Sequence, residues 1–340
     1  MGRNYAGQQS RYYLQKKKFR AFDNLSLKIG RQELIYDDVR LLGNLDWLQQ
    51  GRRFDAALLK AVKSGWQIDL GVAFNQNSDA FGKAGTFYAA EKKCSQPLLP
   101  TLRGFVNVPS DFYSTNGKGG APILATPLST NGQNQMFKSM QMLYVSRKFG
   151  QTKFSGLFFK DDFQKYRLDS LGSTANGIVY GRRYDVLGTH SRITYGAMLT
   201  GMIGNASSKL GKVAWQAFAY NQGGKNRDGQ DLKAYHYGGN VMIQKGKLSF
   251  GPGYEVLSGN NTAAPDGKDH RFDPLYGTPH KHWGYMDYFY VGTGAPVGLA
   301  NAFLKSKYVA NPNLFFTFRY SPFCFGQRHE KQLRCCWWED

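Results

Sequence analysis

Trp66-Gln67-Ile68-Asp69-Leu70-Gly71-Val72-Ala73-Phe74-Asn75 decides the fold. Trp66, Ile68, Leu70, Val72 and Phe74 are large and apolar, and the residues between them are polar or small. A strict period of two puts the two sets on opposite faces of an extended chain, which a helix would not do. Just upstream, Phe54, Ala56, Leu58 and Val62 alternate more loosely with Arg53, Asp55, Ala57 and Ala61. Lys63-Ser64-Gly65 is a short turn between the two runs, so the pair is predicted to be a hairpin.

The pattern recurs outward from there. Alternating runs lie at Leu25–Gly30, Met136–Phe149, Thr152–Phe163, Ser191–Met202, Lys212–Asn221, Asp231–Gln244 and Leu248–Leu257. Late strands are predicted at Tyr285–Gly292, Gly298–Val309 and Asn313–Tyr320. Short turns such as Gly150-Gln151 and Lys245–Lys247 join some of these runs. Long Gly/Ser/Asn-rich loops at Ile35–Gln50, Asn75–Gln135, Gln164–Thr189 and Ser258–His282 join others. Alternating strands with short turns at one end and long loops at the other are the signature of an outer-membrane β-barrel. Alternation alone also fits a soluble antiparallel sheet, but a loop as long as Asn75–Gln135 is uncommon there.

Composition agrees with the barrel and excludes other classes. The 340 residues include 24 Phe, 21 Tyr, 6 Trp and 40 Gly, too much apolar material for a low-aromatic disordered chain. No apolar stretch is long enough for a transmembrane helix. Four Cys in such a chain do not make a disulfide scaffold. A mean hydropathy of −0.49 is compatible with a membrane barrel, because its lumen is polar. Trp66, Phe74, Tyr144, Phe149, Trp215, Tyr220 and Tyr254 are expected in the interfacial girdles.

Two blocks go beyond a generic barrel. One runs from Gly30-Arg31-Gln32-Glu33-Leu34 through Tyr36-Asp37-Asp38-Val39-Arg40 and Gly43-Asn44-Leu45-Asp46-Trp47 to Gln50-Gly51-Arg52-Arg53-Phe54-Asp55-Ala56. The other is Asp269-His270-Arg271-Phe272-Asp273-Pro274-Leu275-Tyr276-Gly277-Thr278-Pro279-His280-Lys281 with Trp283–Gly292 after it. At these residues the sequence resembles the alginate-export family of outer-membrane β-barrels, from about Tyr12 to about Tyr320. The resemblance implies an all-β, antiparallel transmembrane barrel of about 18 strands in the outer membrane of a Gram-negative cell. It implies passive export or diffusion of an anionic polysaccharide, with that polymer, outer-membrane lipid and periplasmic export components as partners. The strand count here is about 12 to 14, so the barrel is expected to be incomplete. A porin for small anions or sugars, and a soluble β-sheet carbohydrate-binding protein, stand as alternatives.

The formal net charge of +20 suits an anionic solute, since a basic lumen with low-dielectric walls concentrates anions. The expected pore-lining residues are Lys28, Arg31, Arg40, Arg52, Arg53, Asp55, Arg271, His280 and Lys281. Parity with Leu25, Leu27 and Ile29 outward turns Lys28 inward. With Phe54, Ala56 and Leu58 outward, Arg53 and Asp55 turn inward. Arg31 falls on the outward parity and is expected at a strand end or bulge. Asp37, Asp38, Asp46, Asp273 and Asp287 are expected to structure the loops. His270, His280 and His282 match no zinc spacing, and no metal or other cofactor is expected. Adjacent Asp37-Asp38 do not make a glycosidase pair. No GxSxG, Walker or HExxH motif is present, and no catalytic role is expected. Lys16-Lys17-Lys18 lacks a surrounding recognition module, so nucleic acid is not an expected partner.

Met1–Gln15 contains no apolar leader core, so the chain is expected either to be cytosolic or to lack its native beginning. Residues 1–322 are expected to be the barrel domain. Cys324, Cys335 and Cys336 lie in a segment without period, and residues 323–340 are expected to be an atypical tail such as a frameshift or truncation scar.

Overall fold

The computed structural model describes residues 12–16, 21–45, 51–74, 105–107, 112–113, 123–124, 137–173, 177–183, 186–205, 207–261, 263–278, 281–283, 298–321, 323–325 and 334–336. In chain order the strands are β1 (Tyr12–Lys16), β2 (Asn24–Gln32), β3 (Phe54–Lys63), β4 (Trp66–Phe74), β5 (Phe105–Asn107), β6 (Phe112–Tyr113), β7 (Ile123–Leu124), β8 (Ser139–Phe149), β9 (Thr152–Gln164), β10 (Arg167–Ser173), β11 (Gly177–Arg183), β12 (Thr189–Ile203), β13 (Lys212–Lys225), β14 (Asp231–Lys245), β15 (Leu248–Leu257), β16 (Leu299–Asn311), β17 (Leu314–Tyr320), β18 (Phe323–Phe325) and β19 (Arg334–Cys336). One 14-stranded antiparallel sheet runs β1-β2-β3-β4-β8-β9-β12-β13-β14-β15-β16-β18-β19, with β17 also on β16. Its two end strands, β1 and β19, are not paired with each other, so the described sheet is open. The other strands form small sheets, β10-β11-β5 and β6-β7.

The tight turns pin the register. Between β3 and β4, Ser64 and Gly65 both take positive φ, 49° and 79°. That is the primed turn whose twist matches a hairpin, and Gly65 meets the conformational demand at no steric cost. Leu59 then pairs with Leu70 and Lys60 with Asp69, which fixes the face of each side chain.

The two faces differ in polarity from a water-soluble sheet. Ile68, Leu70, Val72, Phe74, Tyr195, Leu199, Tyr237, Val241, Phe250 and Tyr254 are exposed on one face. The other buries Met140, Met142, Phe159, Met198 and Phe218 together with Asp69, Asp161, His236 and Glu255. A continuous apolar exterior of this extent is out of place against water and matches hydrocarbon. Two blocks of the chain fold back onto the inner face, and their Leu34, Leu41, Leu42, Phe272, Leu275, Tyr276 and Trp283 complete the hydrophobic core there.

The register corrects four readings. Asp55 pairs with Arg31, and Ala57 with Ile29, so Asp55 faces outward and Phe54, Ala56 and Leu58 face inward. The inward-folded blocks give the lumen an apolar lining, so apolar parity on β3 does not mark the lipid side. For the same reason Tyr144 and Tyr220 are buried inside and take no part in an outer girdle. Part of the predicted loop Gln164–Thr189 is the β10–β11 hairpin. The segment expected to lack pattern contributes two short strands, β18 on β16 and β19 on β18. The predicted strand Tyr285–Gly292 lies outside the described residues.

Candidate functional site

The first block leaves β2 at Gln32, whose buried side-chain amide donates to the Ala56 carbonyl at 2.8 Å. It then turns into the lumen. Val39 N–H donates to the Tyr36 carbonyl at 3.0 Å, and Asp37 and Val39 take φ of 50° and 62°. Positive φ at a β-branched residue such as Val39 is strained, and it persists only where the surroundings hold it.

The surroundings are the strand walls. Tyr36 donates to Asp69 on β4 at 2.8 Å. Asp37 accepts from Tyr144 at 2.8 Å, Lys153 at 2.8 Å and Ser155 at 2.9 Å, fastening the tip to β8 and β9. Asp38 accepts from Gln216 on β13 at 2.6 Å and from Arg40 Nε at 3.3 Å. Arg40 is ion-paired with Glu255 on β15, lies 4.0 Å over the Phe218 ring, and faces His236 Nε2 at 3.4 Å.

The second block closes on the first. Gly43 N–H donates to the Tyr276 carbonyl at 3.0 Å, Tyr276 N–H to Leu41 at 2.9 Å and Thr278 N–H to Val39 at 2.8 Å. A Cβ on Gly277 would stand 2.0 Å from the Arg40 carbonyl, so only glycine permits this approach. Arg192 on β12 anchors the second block through Asp161 (Nε to Oδ1, 3.0 Å) and Asp273 (2.7 Å), and Tyr276 donates to Asp161 at 3.0 Å. Arg271 chelates Asp269 at 2.9 Å.

Burial sets the charge states inside this plug. It pushes His282 down to about 3, and the Arg40 guanidinium adds to that, so the ring is neutral near neutral pH. Burial disfavours ionised Asp38, but Arg40 and His282 outweigh it and hold the carboxyl below its usual range. Burial and then the Asp69 charge raise Tyr36, which stays a donor.

Between the plug and the inner faces of β2–β4, β8 and β9 remains a cleft of about 500 Å³, on the side of the short turns. Ser26, Lys28, Lys60, Gln67, Ser146 and Lys153 line its wall, and Glu33 and Asp37 its plug side. Lys60 lies 3.7 Å from Asp69. Across the sheet, inward Lys305, paired in register with Arg319, continues the basic lining; both cations sit 4.7 Å from the Phe303 ring centre.

The residues singled out from sequence separate into groups. Lys28 lines the cleft. Arg40 and Arg271 are plug ion pairs. Arg52 donates to the Gly277 carbonyl at 2.9 Å, and Arg53 meets Glu33 at 2.7 Å, so both hold the mouth segment. Arg31 and Asp55 form a two-point ion pair at 3.0 Å on the outer face and do not line the pore. Lys281 is exposed; His280, Asp46 and Asp287 lie outside the described residues. Lys60, Lys153, Arg192, Lys305 and Arg319 were not singled out from sequence; parity from Lys28 through the register would have found Lys60. Among the described residues no group of three His, Cys, Asp or Glu is placed to hold a metal ion.

An antiparallel meander with an apolar exterior, and a polar interior into which its own loops fold, defines an outer-membrane β-barrel protein, placed in the bacterial outer membrane. The alginate export family model matches residues 8–74, which take in β1–β4 and the whole first block. No curated protein matches the chain in sequence. Among solved structures, OpdL of Pseudomonas aeruginosa is 13% identical with a TM-score of 0.48, over 91% of this chain and 64% of its own. OpdO of the same organism is 13% identical with a TM-score of 0.48, over 90% and 61%. OmpT of Vibrio cholerae is 9% identical with a TM-score of 0.40, over 96% and 75%. The chain therefore spans less than two thirds of the length of OpdL and OpdO.

Proposed function

We propose that the chain forms the wall and plug of a passive outer-membrane channel for an anionic polysaccharide of the polyuronate kind. The observation that carries this reading is the lysine-lined cleft, where Lys28, Lys60 and Lys153 surround the open space left beside the plug. Asp161 and Glu255 are engaged away from the cleft by Arg192 and Arg40, while at the cleft Asp69 meets Tyr36, Gln67 and Lys60, and Asp37 meets Lys153. The three lysines of the cleft are spread over β2, β3 and β9. Distributed weak contacts let an anionic chain enter and leave, whereas one tight site would stall it. The match of residues 8–74 to the alginate export family supports the polymer over a small solute.

The test is reversal potential in planar bilayers under a KCl gradient, with polyuronate oligomers added on one side. Anion selectivity with concentration-dependent block is expected. Lys28→Glu combined with Lys60→Glu should move the selectivity toward cations and weaken the block. A porin for small anions would keep the selectivity and show no block by oligomers. Conductance that ignores the charge of these lysines would remove the reading.

A further inference from the structure

The lipid-facing rim at the short-turn end holds one guanidinium in an unusual setting. Arg147 on β8 pairs in register with Trp66 on β4, on the same face as exposed Ile68 and Leu70. Its side chain therefore points out of the barrel. It lies 5.2 Å from the Trp66 ring centre and 4.9 Å from that of Phe149, and the two rings meet edge to face at 6.1 Å. Among the described residues it has no carboxylate partner within ion-pair distance, unlike Arg31 on the same face at the opposite end of the strands. Lys63 pairs in register with Trp66 from the other side, putting a second exposed cation at this height. Two strand spacings separate the two, about 10 Å. Asp23, beside the same β3–β4 turn, is engaged by the Ser64 amide at 2.6 Å.

In a barrel the short turns face the periplasm, so this rim sits at headgroup level in the phospholipid leaflet. A cation held by aromatic rings at that depth keeps its apolar stem in hydrocarbon and its head at the interface. Its planar donor fork matches phosphate oxygens, and among the described residues no carboxylate occupies it. We propose that Arg147, with Lys63 across Trp66, binds the phosphate of an anionic glycerophospholipid. Trp66 and Phe149 fix the guanidinium so that little side-chain freedom is lost on binding. The site lies on the outer surface and needs no conduction through the lumen, so it stands apart from the channel reading.

The test is lipid retention by the full chain, folded in detergent micelles doped with phosphatidylglycerol or phosphatidylcholine and read by native mass spectrometry. The wild type should retain phosphatidylglycerol in preference. Arg147→Gln should lower that retention about fivefold, the factor expected for one basic residue at a membrane surface. Arg147→Lys, which keeps the charge but loses the fork, should retain more than Arg147→Gln and less than the wild type, and so covers the case in which the glutamine variant does not fold. Lys148→Gln, on the same turn but the opposite parity, should leave it unchanged. Equal retention of the two lipids by the wild type would overturn the proposal. An equal loss from Arg147→Gln and Lys148→Gln would overturn it too, since that is a general charge effect.

Discussion

Toward the long connections, the inner faces of β12–β15 meet Phe272, Leu275, Tyr276 and Trp283, and the space is filled. Toward the short turns, the inner faces of β2–β4 and β9 carry Lys28, Lys60 and Lys153 around an open cleft. Both regions take the same parity of the same sheet. The difference is the plug. Where it packs, charges are buried and each guanidinium is held by two carboxylates, Arg40 by Glu255 and Asp38 and Arg192 by Asp161 and Asp273. Where it does not, the lysines stay partly exposed, Lys60 beside Asp69 and Lys153 beside Asp37. Inward parity therefore does not define a pore lining until it is known what the lumen contains.

The comparison breaks most easily at Arg40. Arg40→Ala leaves Glu255 and Asp38 buried without their cation, which costs about 3–5 kcal/mol. Guanidinium unfolding in detergent should show that loss, and bilayer conductance should rise as the plug loosens. A change as small as that of an exposed ion pair would mean the filled half is not held by its buried charges. Leu275→Ala, at a fully buried position of the second block, should cost about 2–5 kcal/mol through transfer and cavity terms, at the lower end if the plug relaxes.

Acid should destabilise the plug. His282 is held at about 3 against an ordinary 6.5, so the unfolded chain binds a proton that the native state refuses below 6.5. Stability is lost as the pH falls through that window. Asp38, held below its ordinary 3.8, adds a loss at the acid end, where its native ion pair is protonated away. The two act in the same direction. His282→Gln should remove the part of the slope between pH 6 and pH 4 in guanidinium midpoints. An unchanged slope would place the acid sensitivity elsewhere. The smallest effect is expected at Arg31→Ala, whose ion pair with Asp55 is largely exposed on the outer face; at most about 1 kcal/mol should be lost. Conductance should not change, and a changed selectivity would put Arg31 back among the pore residues.

Trp66–Phe74 was fully legible because lipid demands an apolar side chain at every second position and tolerates almost anything at the others. Lys28 followed from the same rule on β2. On β3 the rule failed, because Phe54 and Ala56 serve the plug's core with Phe137 and Tyr276, an apolar surface that local alternation cannot distinguish from lipid. The two blocks stood out by composition, but their joining at residues 39–43 and 276–278 depends on pairing between distant segments that no local pattern encodes. The cations of β9, β12 and β16 sit in strands with ordinary alternation, and only the register shows which of them share a wall.

The seam between the two blocks also sets an order of events. Leu45 and Thr278, which meet across it, are 233 residues apart. The first block is complete once β3 has formed, yet its partner arrives only after β15, and contacts this distant form late. Until then the inner face lacks the Tyr276 and Trp283 that complete its core in the finished protein.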